Sequence, residues 1–219
     1  YVLSLQQSPK APNGTVNPSP STATLVFDER VLGWTSFFNY IPDQILSLQS
    51  NYYSFKDGGL WKHYDTTADR NNFYGTQYNS SIQFVFNPEV SLSKVFKTVN
   101  YEGSNGWEVS QFDAARSFEL VDSCNTVLSY TDGAYDAAGN VGAAAGYPRF
   151  YAGFVNKEGK YFANLVNKST ATAGEVIFGS AMTGVKGYYA TVTIETDDTS
   201  RSNPVELFAV SSDFVESSY

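Results

Sequence analysis

Acidic side chains are the first residues in this chain whose spacing could support catalysis. Asp28 and Glu29 are adjacent, and a pair of carboxyl groups on an aromatic-rich β scaffold is what glycoside hydrolysis requires. Neighbouring residues on a strand point to opposite faces, so these two carboxyls could converge only within a turn. We therefore interpret Asp28 and Glu29 as solvated turn residues, and Asp197 and Asp198 in the same way.

A thiol and an imidazole could form a nucleophilic pair, and the chain has one of each. Cys124 lies in residues 121–127, a context typical of a small buried thiol, and His63 is far from it in sequence. A single cysteine also excludes an intrachain disulfide, so packing must stabilise the fold. We expect Cys124 to be a core residue and not a nucleophile.

A cation site is conceivable where oxygen-bearing side chains recur. Asp132, Asp136 and Asn140 follow one another every four residues and could offer oxygens to calcium, but their spacing matches no known calcium loop. We interpret them as solubilising loop residues. The sequence therefore predicts no catalytic residues, no cofactor and no metal site.

Two further patterns bear on glycans. Asn13, Asn79 and Asn167 each begin a glycosylation acceptor triplet, but a pattern this short occurs by chance, and we discount all three. Tyrosine pairs could stack against sugars if exposed, although alternating aromatic residues on strands are more often core and cross-strand contacts. These pairs are Tyr52–Tyr53 and Tyr188–Tyr189.

Composition indicates the elements that would position these residues. The 219 residues include 16 Tyr, 16 Phe and one Met, a balance that favours short aromatic strands over helices. A formal net charge of −8 argues against binding nucleic acid by neutralising phosphates. No apolar run is long enough to span a bilayer. We predict an all-β fold.

Turn and strand signals divide the chain. Residues 1–22 contain a strand followed by a proline-rich loop, residues 23–68 a propeller-blade-like antiparallel unit, and residues 69–219 a β-sandwich-like region. Within the last region, residues 134–147 form an Ala/Gly-rich loop. Asp57–Gly58, between two aromatic runs, predicts a tight hairpin turn. We expect Trp34, Trp61 and Trp107 to anchor the fold.

Several blocks of the sequence together carry a family resemblance. The blocks are residues 27–37, 53–63, 70–75, 96–103, 157–162, 189–193 and 206–212. Their order and spacing carry the resemblance more than any one of them. Together they resemble the C-terminal part of the muzzle-type tail proteins of crAss-like phages. The likeness spans roughly residues 22–103 and 150–215 and leaves the Ala/Gly-rich middle unmatched.

The resemblance implies a structural role in a virion tail. Such proteins form a ring at the distal end of a short tail, close the DNA channel and contact other tail proteins, and the family brings no catalytic residues. It implies copies of the chain in a ring, possibly hexameric, with DNA passing nearby without specific binding. The chain starts at Tyr1 without an initiator Met, which predicts part of a larger polypeptide or a processed product.

Two other functions stay open from the residues. A carbohydrate-binding or adhesin module would use exposed aromatic side chains on a host surface glycan. A glycan-cleaving enzyme would need two acids within about 10 Å of each other in a cleft.

Overall fold

A computed structural model shows an all-β protein, as the composition predicts. Every regular element in the described residues is a strand, and every strand pair is antiparallel. The chain divides into two compact units, Tyr1–Tyr78 and Asn79–Tyr219. The structure describes residues 1–5, 23–117, 121–124, 126–130, 153–167, 184–197 and 204–217.

The first unit consists of short antiparallel sheets. Strands β1, β2 and β3 form one three-stranded sheet, β4, β5 and β6 form another, and β7 pairs with β8. These strands are β1 (Val2–Leu5), β2 (Ala23–Asp28), β3 (Gly33–Phe38), β4 (Gln44–Leu48), β5 (Asn51–Lys56), β6 (Gly59–Lys62), β7 (Asn72–Phe73) and β8 (Thr76–Gln77).

Two-residue turns set the register of the β4–β5–β6 sheet. Asp57 and Gly58, the predicted turn, have φ values of 51° and 78°, as a hairpin between right-twisted strands requires. Gln49 and Ser50 connect β4 to β5 with φ values of 49° and 62°. Neither of these two residues is a glycine, so the β4–β5 turn carries backbone strain that the β5–β6 turn avoids at Gly58.

Relief of that strain is expected to stabilise the first unit. Ser50→Gly should raise the free energy of unfolding by about 0.5–1 kcal/mol, because glycine adopts positive φ without steric cost. Thermal unfolding measures the change. Ser50→Ala is the control, since alanine keeps the strain and should give no gain; equal melting temperatures for Ser50→Gly and the native chain would contradict the explanation.

The second unit is built from longer strands. Two four-stranded sheets have the orders β14-β15-β11-β18 and β13-β12-β17-β9, and a three-stranded sheet has the order β16-β10-β19. The strands are β9 (Ser81–Phe86), β10 (Lys94–Phe96), β11 (Thr98–Gly103), β12 (Trp107–Ala115), β13 (Val121–Ser123), β14 (Val155–Lys157), β15 (Lys160–Asn164), β16 (Val185–Gly187), β17 (Tyr189–Thr196), β18 (Leu207–Ser211) and β19 (Phe214–Glu216).

One hydrophobic core lies between the two four-stranded sheets. It combines Val99 and Tyr101 of β11 with Val109 and Phe112 of β12, all of them inaccessible to solvent. Inward-facing residues alternate along the strands, and a bulge between Val109 and Gln111 shifts this alternation within β12, so that Val109 and Phe112 both face the core. On one side the sheets are joined by a hydrogen bond from the Phe154 N–H to the Leu128 carbonyl, 2.9 Å long.

On the opposite side of this sandwich, β9 and β18 are the edge strands of the two sheets. Among the described strands, β9 pairs only with β17 and β18 only with β11. Neither strand contains a charged residue or a proline, the features that usually protect a free sheet edge. Two edges that could accept a further strand therefore border this side of the core.

The three tryptophans differ in burial. Trp107 is buried and donates a 3.1 Å hydrogen bond from Nε1 to the Glu206 carbonyl, so it anchors the second unit as predicted. Trp34 and Trp61 are 49% and 40% exposed, so the prediction that they are anchors is wrong for these two. Each packs one side on a single aromatic neighbour, because the small first unit has too little interior to enclose an indole.

Candidate functional site

A buried polar cluster in the first unit is the closest approach to a catalytic arrangement there. Ser54 of β5 is inaccessible to solvent, and its Oγ lies 2.6 Å from Nε2 of His63 and 2.8 Å from the hydroxyl of Tyr74. Aromatic rings surround the imidazole: the centroids of Tyr52 and Tyr40 lie 4.4 and 5.0 Å from that of His63. The cluster is therefore an enclosed hydrogen-bond network.

This network stabilises the unit and does not supply a nucleophile. The Ser54 hydroxyl cannot be reached by a substrate, and no carboxylate among the described residues hydrogen-bonds to His63, so the third member of a catalytic triad is missing in the part of the chain that the structure describes. Burial lowers the pKa of His63 and raises the pKa of Tyr40, which keeps both groups neutral.

Register explains why this cluster forms, and the sequence contained the signal. The Asp57–Gly58 turn places Tyr53 opposite Lys62, and the His63 N–H donates to the Tyr52 carbonyl at 2.9 Å. Residues 52 and 54 share one face of β5, so His63 lies beside Ser54. The predicted hairpin, residues 52–64, already contained Ser54 and His63; pairing its residues across the Asp57–Gly58 turn would have identified the contact, which our sequence interpretation missed.

Acidification is expected to destabilise the first unit through His63. Its folded-state pKa is lowered, so the unfolded chain binds the proton first and stability falls as the pH drops through about 6.5. Urea unfolding at about pH 7.5 and 5.5 measures the loss. His63→Gln removes the titration and should flatten the dependence over this interval; an unchanged dependence in that variant would assign the effect to another group.

The carboxylates singled out in the sequence have local partners. Asp28 ends β2 and forms an ion pair with Arg30, with 2.9 Å between Oδ2 and Nη2. Hydrogen bonds from the Arg30 side chain and backbone lower the pKa of Asp28, while Glu29 is exposed in the adjoining turn. Asp197 accepts a 2.6 Å hydrogen bond from the Ser129 hydroxyl. Asp198, Asp132, Asp136 and Asn140 lie outside the described residues.

Cys124 is a core thiol. It is 8% exposed and belongs to the hydrophobic cluster of the second unit, and burial raises its pKa to about 12. A thiol with so high a pKa is protonated at neutral pH and is a poor nucleophile.

In the residues that the structure describes, no three His, Cys, Asp or Glu side chains come together in a way that could hold a metal ion. The described residues contain no helix that is long and apolar enough to cross a membrane.

The candidate glycan residues occupy different environments. The Tyr52 ring packs on His63, and the hydroxyl oxygens of Tyr52 and Tyr40 are 3.4 Å apart. Tyr52 therefore belongs to the buried cluster and is not a free stacking surface for a sugar. Tyr188 and Tyr189 are each 42% exposed near the start of β17. The Asn13 triplet and the last two residues of the Asn167 triplet lie outside the described residues.

A groove on the outer face of the β14-β15-β11-β18 sheet was not anticipated. One cavity of about 750 Å³ lies between Glu102 of β11, Lys160 and Phe162 of β15, and Phe208 of β18. A second, of about 590 Å³, continues along the same face and shares Phe162 and Lys157 with the first. Lys160 pairs with Glu102 at 3.0 Å, and its Nζ lies 5.6 Å from the Phe162 ring centroid.

A buried lysine was also missed by the sequence interpretation. Lys94 of β10 is inaccessible to solvent, and its Nζ donates to the carbonyls of Glu89 and Leu92 at 2.9 and 2.8 Å. Burial lowers the pKa of Lys94. The ammonium ties the β9–β10 loop to β10 through these two carbonyls, which is a structural role.

The middle of the chain is similar to known phage proteins. Residues 68–168 match the Crassvirus muzzle protein C-terminal domain. Over 103 residues the chain is 31% identical to the muzzle protein of Bacteroides phage crAss001, a match that covers 46% of this chain and 7% of that protein. The chain thus corresponds to a small part of the length of this relative.

The matched segment differs in extent from the one expected. It includes residues 104–149, which our sequence interpretation left unmatched. That stretch contains β12, the longest strand of the second unit, whose inward residues fill the core, so its pattern is restricted by packing. The resemblance indicated by the sequence blocks is confirmed: over residues 68–168 this chain is similar to the C-terminal domain of the crAss-like phage muzzle proteins.

Proposed function

We propose that the chain is a structural component of a tailed-phage virion, located in the tail as part of the muzzle that closes the DNA channel. The single observation that carries this proposal is the match of residues 68–168 to the Crassvirus muzzle protein C-terminal domain. In this role the chain contacts other tail proteins and further copies of itself in a ring, and it works without catalysis.

The described surfaces suit such an assembly. The β9 edge, Ser81–Phe86, is uncharged, and its Ile82 and Val85 side chains are 48% and 57% exposed. In the first unit, Val31 and Leu32 at the β2–β3 turn are 65% and 80% exposed. Exposed apolar groups at a free edge and at a turn are typical of surfaces that become buried in a complex.

The electrostatics agree with a channel that DNA traverses without being held. The chain has 22 acidic and 14 basic residues, so its net charge repels phosphate instead of neutralising it. The described side chains also support a role without catalysis, because the thiol is buried with a raised pKa and the enclosed serine cannot meet a substrate.

Location and copy number in the native particle test the proposal. Cryo-electron microscopy of the virion, with intact-protein mass spectrometry of the same preparation, should place this chain in a symmetric ring at the tail tip. Hydrogen exchange supplies a second readout: the outward amides of β9 should exchange more slowly in the particle than in the free chain. Absence of the chain from purified particles would refute the proposal.

A further inference from the structure

We infer that the groove on the outer face of the β14-β15-β11-β18 sheet binds a neutral oligosaccharide. This inference goes beyond a structural role in the tail and does not depend on it. The residues that carry it are Phe208, Phe162, and the charged side chains between and beside them, none of which the sequence interpretation connected with glycans.

The shape of the groove fits an elongated ligand. Its two cavities, of about 750 and 590 Å³, lie next to each other on one sheet face and share Phe162 and Lys157. Each cavity has the volume of an ordinary small-molecule site, so the two in succession offer room for more than one pyranose ring. The groove is open along its length, so a chain could lie in it and extend beyond both ends.

Aromatic side chains provide the stacking surfaces. Phe208 is 73% exposed at the point where β18 shifts register against β11, and water contact with so much apolar surface is unfavourable. Phe162 lies between the two cavities, with the Lys160 ammonium near its ring. A pyranose ring has one face of C–H groups that packs on an aromatic ring, whereas its hydroxyls remain available at the rim.

The polar lining of the groove suits a ligand that carries hydroxyl groups and has no net charge. Two lysines and two glutamates line the larger cavity, Lys157, Lys160, Glu102 and Glu158, and their formal charges cancel. Lysine ammonium groups donate and carboxylates accept hydrogen bonds, and a sugar hydroxyl does both. A phosphate-bearing or strongly anionic ligand would need an excess of cations, which this cavity does not have.

One glycine leaves the backbone of the groove accessible. Gly159, in the turn between β14 and β15, has a φ of 79° and open space where a Cβ would point. At Gly103, which lines the same cavity, the carbonyl oxygen of Glu206 occupies the position that a Cβ would take. A ligand can therefore approach the main chain closely at Gly159.

Binding of defined oligosaccharides tests the inference. The full chain is screened on an array of neutral oligosaccharides, and affinity is then measured by calorimetry with cellohexaose, maltohexaose and mannohexaose. We expect at least one hexaose to bind with a Kd of about 1 mM or below. Phe208→Ala should weaken that binding at least tenfold, whereas Phe208→Trp should retain it.

The matched control is Phe37→Ala. Phe37 and Phe208 are both 73% exposed phenylalanines on strands, but Phe37 lies in the first unit and does not line the groove. Phe37→Ala should leave the affinity unchanged, and neither alanine variant should lower the melting temperature appreciably, since both side chains are mostly in water. Equal loss of binding in both variants would overturn the assignment to this groove.

Two other outcomes would overturn the inference outright. The first is absence of binding by the native chain to every neutral saccharide on the array. The second is evidence that the groove binds a protein strand. In that case Phe208→Ala would reduce incorporation of the chain into particles, and the native chain would bind no hexaose. Because saccharide binding is measured on the isolated chain, its failure leaves the proposed location in the virion tail untouched.

Discussion

Gly184→Ala is expected to unfold the second unit or to lower its free energy of unfolding by about 3 kcal/mol or more. Gly184 has a φ of 88°, and a Cβ built there would overlap the carbonyl oxygen of Phe96. That oxygen belongs to β10, which is paired on both sides, so the backbone cannot move away without breaking ladders. Urea unfolding followed by far-ultraviolet circular dichroism measures the loss.

Gly159→Ala separates the steric effect from the conformational one. Gly159 has a similar φ of 79°, but nothing lies within 4 Å of the position that a Cβ would occupy. This control should cost only about 1–2 kcal/mol, the usual penalty of an L-residue in the left-handed region. If both variants lost the same stability, the overlap with Phe96 would contribute nothing and our explanation would be wrong.

Phe112→Ala is expected to lower the free energy of unfolding of the second unit by about 3–5 kcal/mol. Phe112 is inaccessible to solvent in β12, and its ring lies 5.6 Å from that of Phe96 and 6.3 Å from that of Phe86, measured between centroids. Removal of the ring leaves a cavity between two sheets whose strands are held by their ladders and cannot collapse fully. Chemical denaturation measures the difference.

Phe208→Ala is the matched control for Phe112→Ala. The same atoms are removed from a side chain that is 73% exposed, so the change should stay within about 0.5 kcal/mol. A similar loss for the two variants would mean that Phe208 is buried in the native protein, which would also contradict its place in an open groove.

Strand and turn positions were predictable because they depend on short-range spacing. The alternation in residues 80–86 and 187–195 predicts strands that correspond to β9 (Ser81–Phe86) and β17 (Tyr189–Thr196), and Asn87 and Pro88 directly follow the end of β9. The turn at Glu158 and Gly159 has the positive φ values that its sequence indicates, 54° and 79°. These features follow from the period of a strand and from the steric freedom of glycine.

Burial was harder to predict, because it depends on which strands become neighbours. Trp34 and Trp61 are large and apolar but half exposed, whereas Ser54 and Lys94 are polar and inaccessible to solvent. Polarity alone would place the two tryptophans in the interior and the serine and the lysine on the surface. The two polar residues are tolerated inside because hydrogen-bond partners from other segments satisfy them.

The candidate groove illustrates the same limit for function. Phe162 and Phe208 are distant in sequence, and they line one cavity because β15 and β18 pair with opposite edges of β11. Composition, period-2 alternation and turn residues were enough to establish an all-β chain and its resemblance to the muzzle proteins. The order of strands in the sheets determines which aromatic side chains are exposed to solvent. This order depends on pairing between segments that are distant in sequence, so only the tertiary structure decides it.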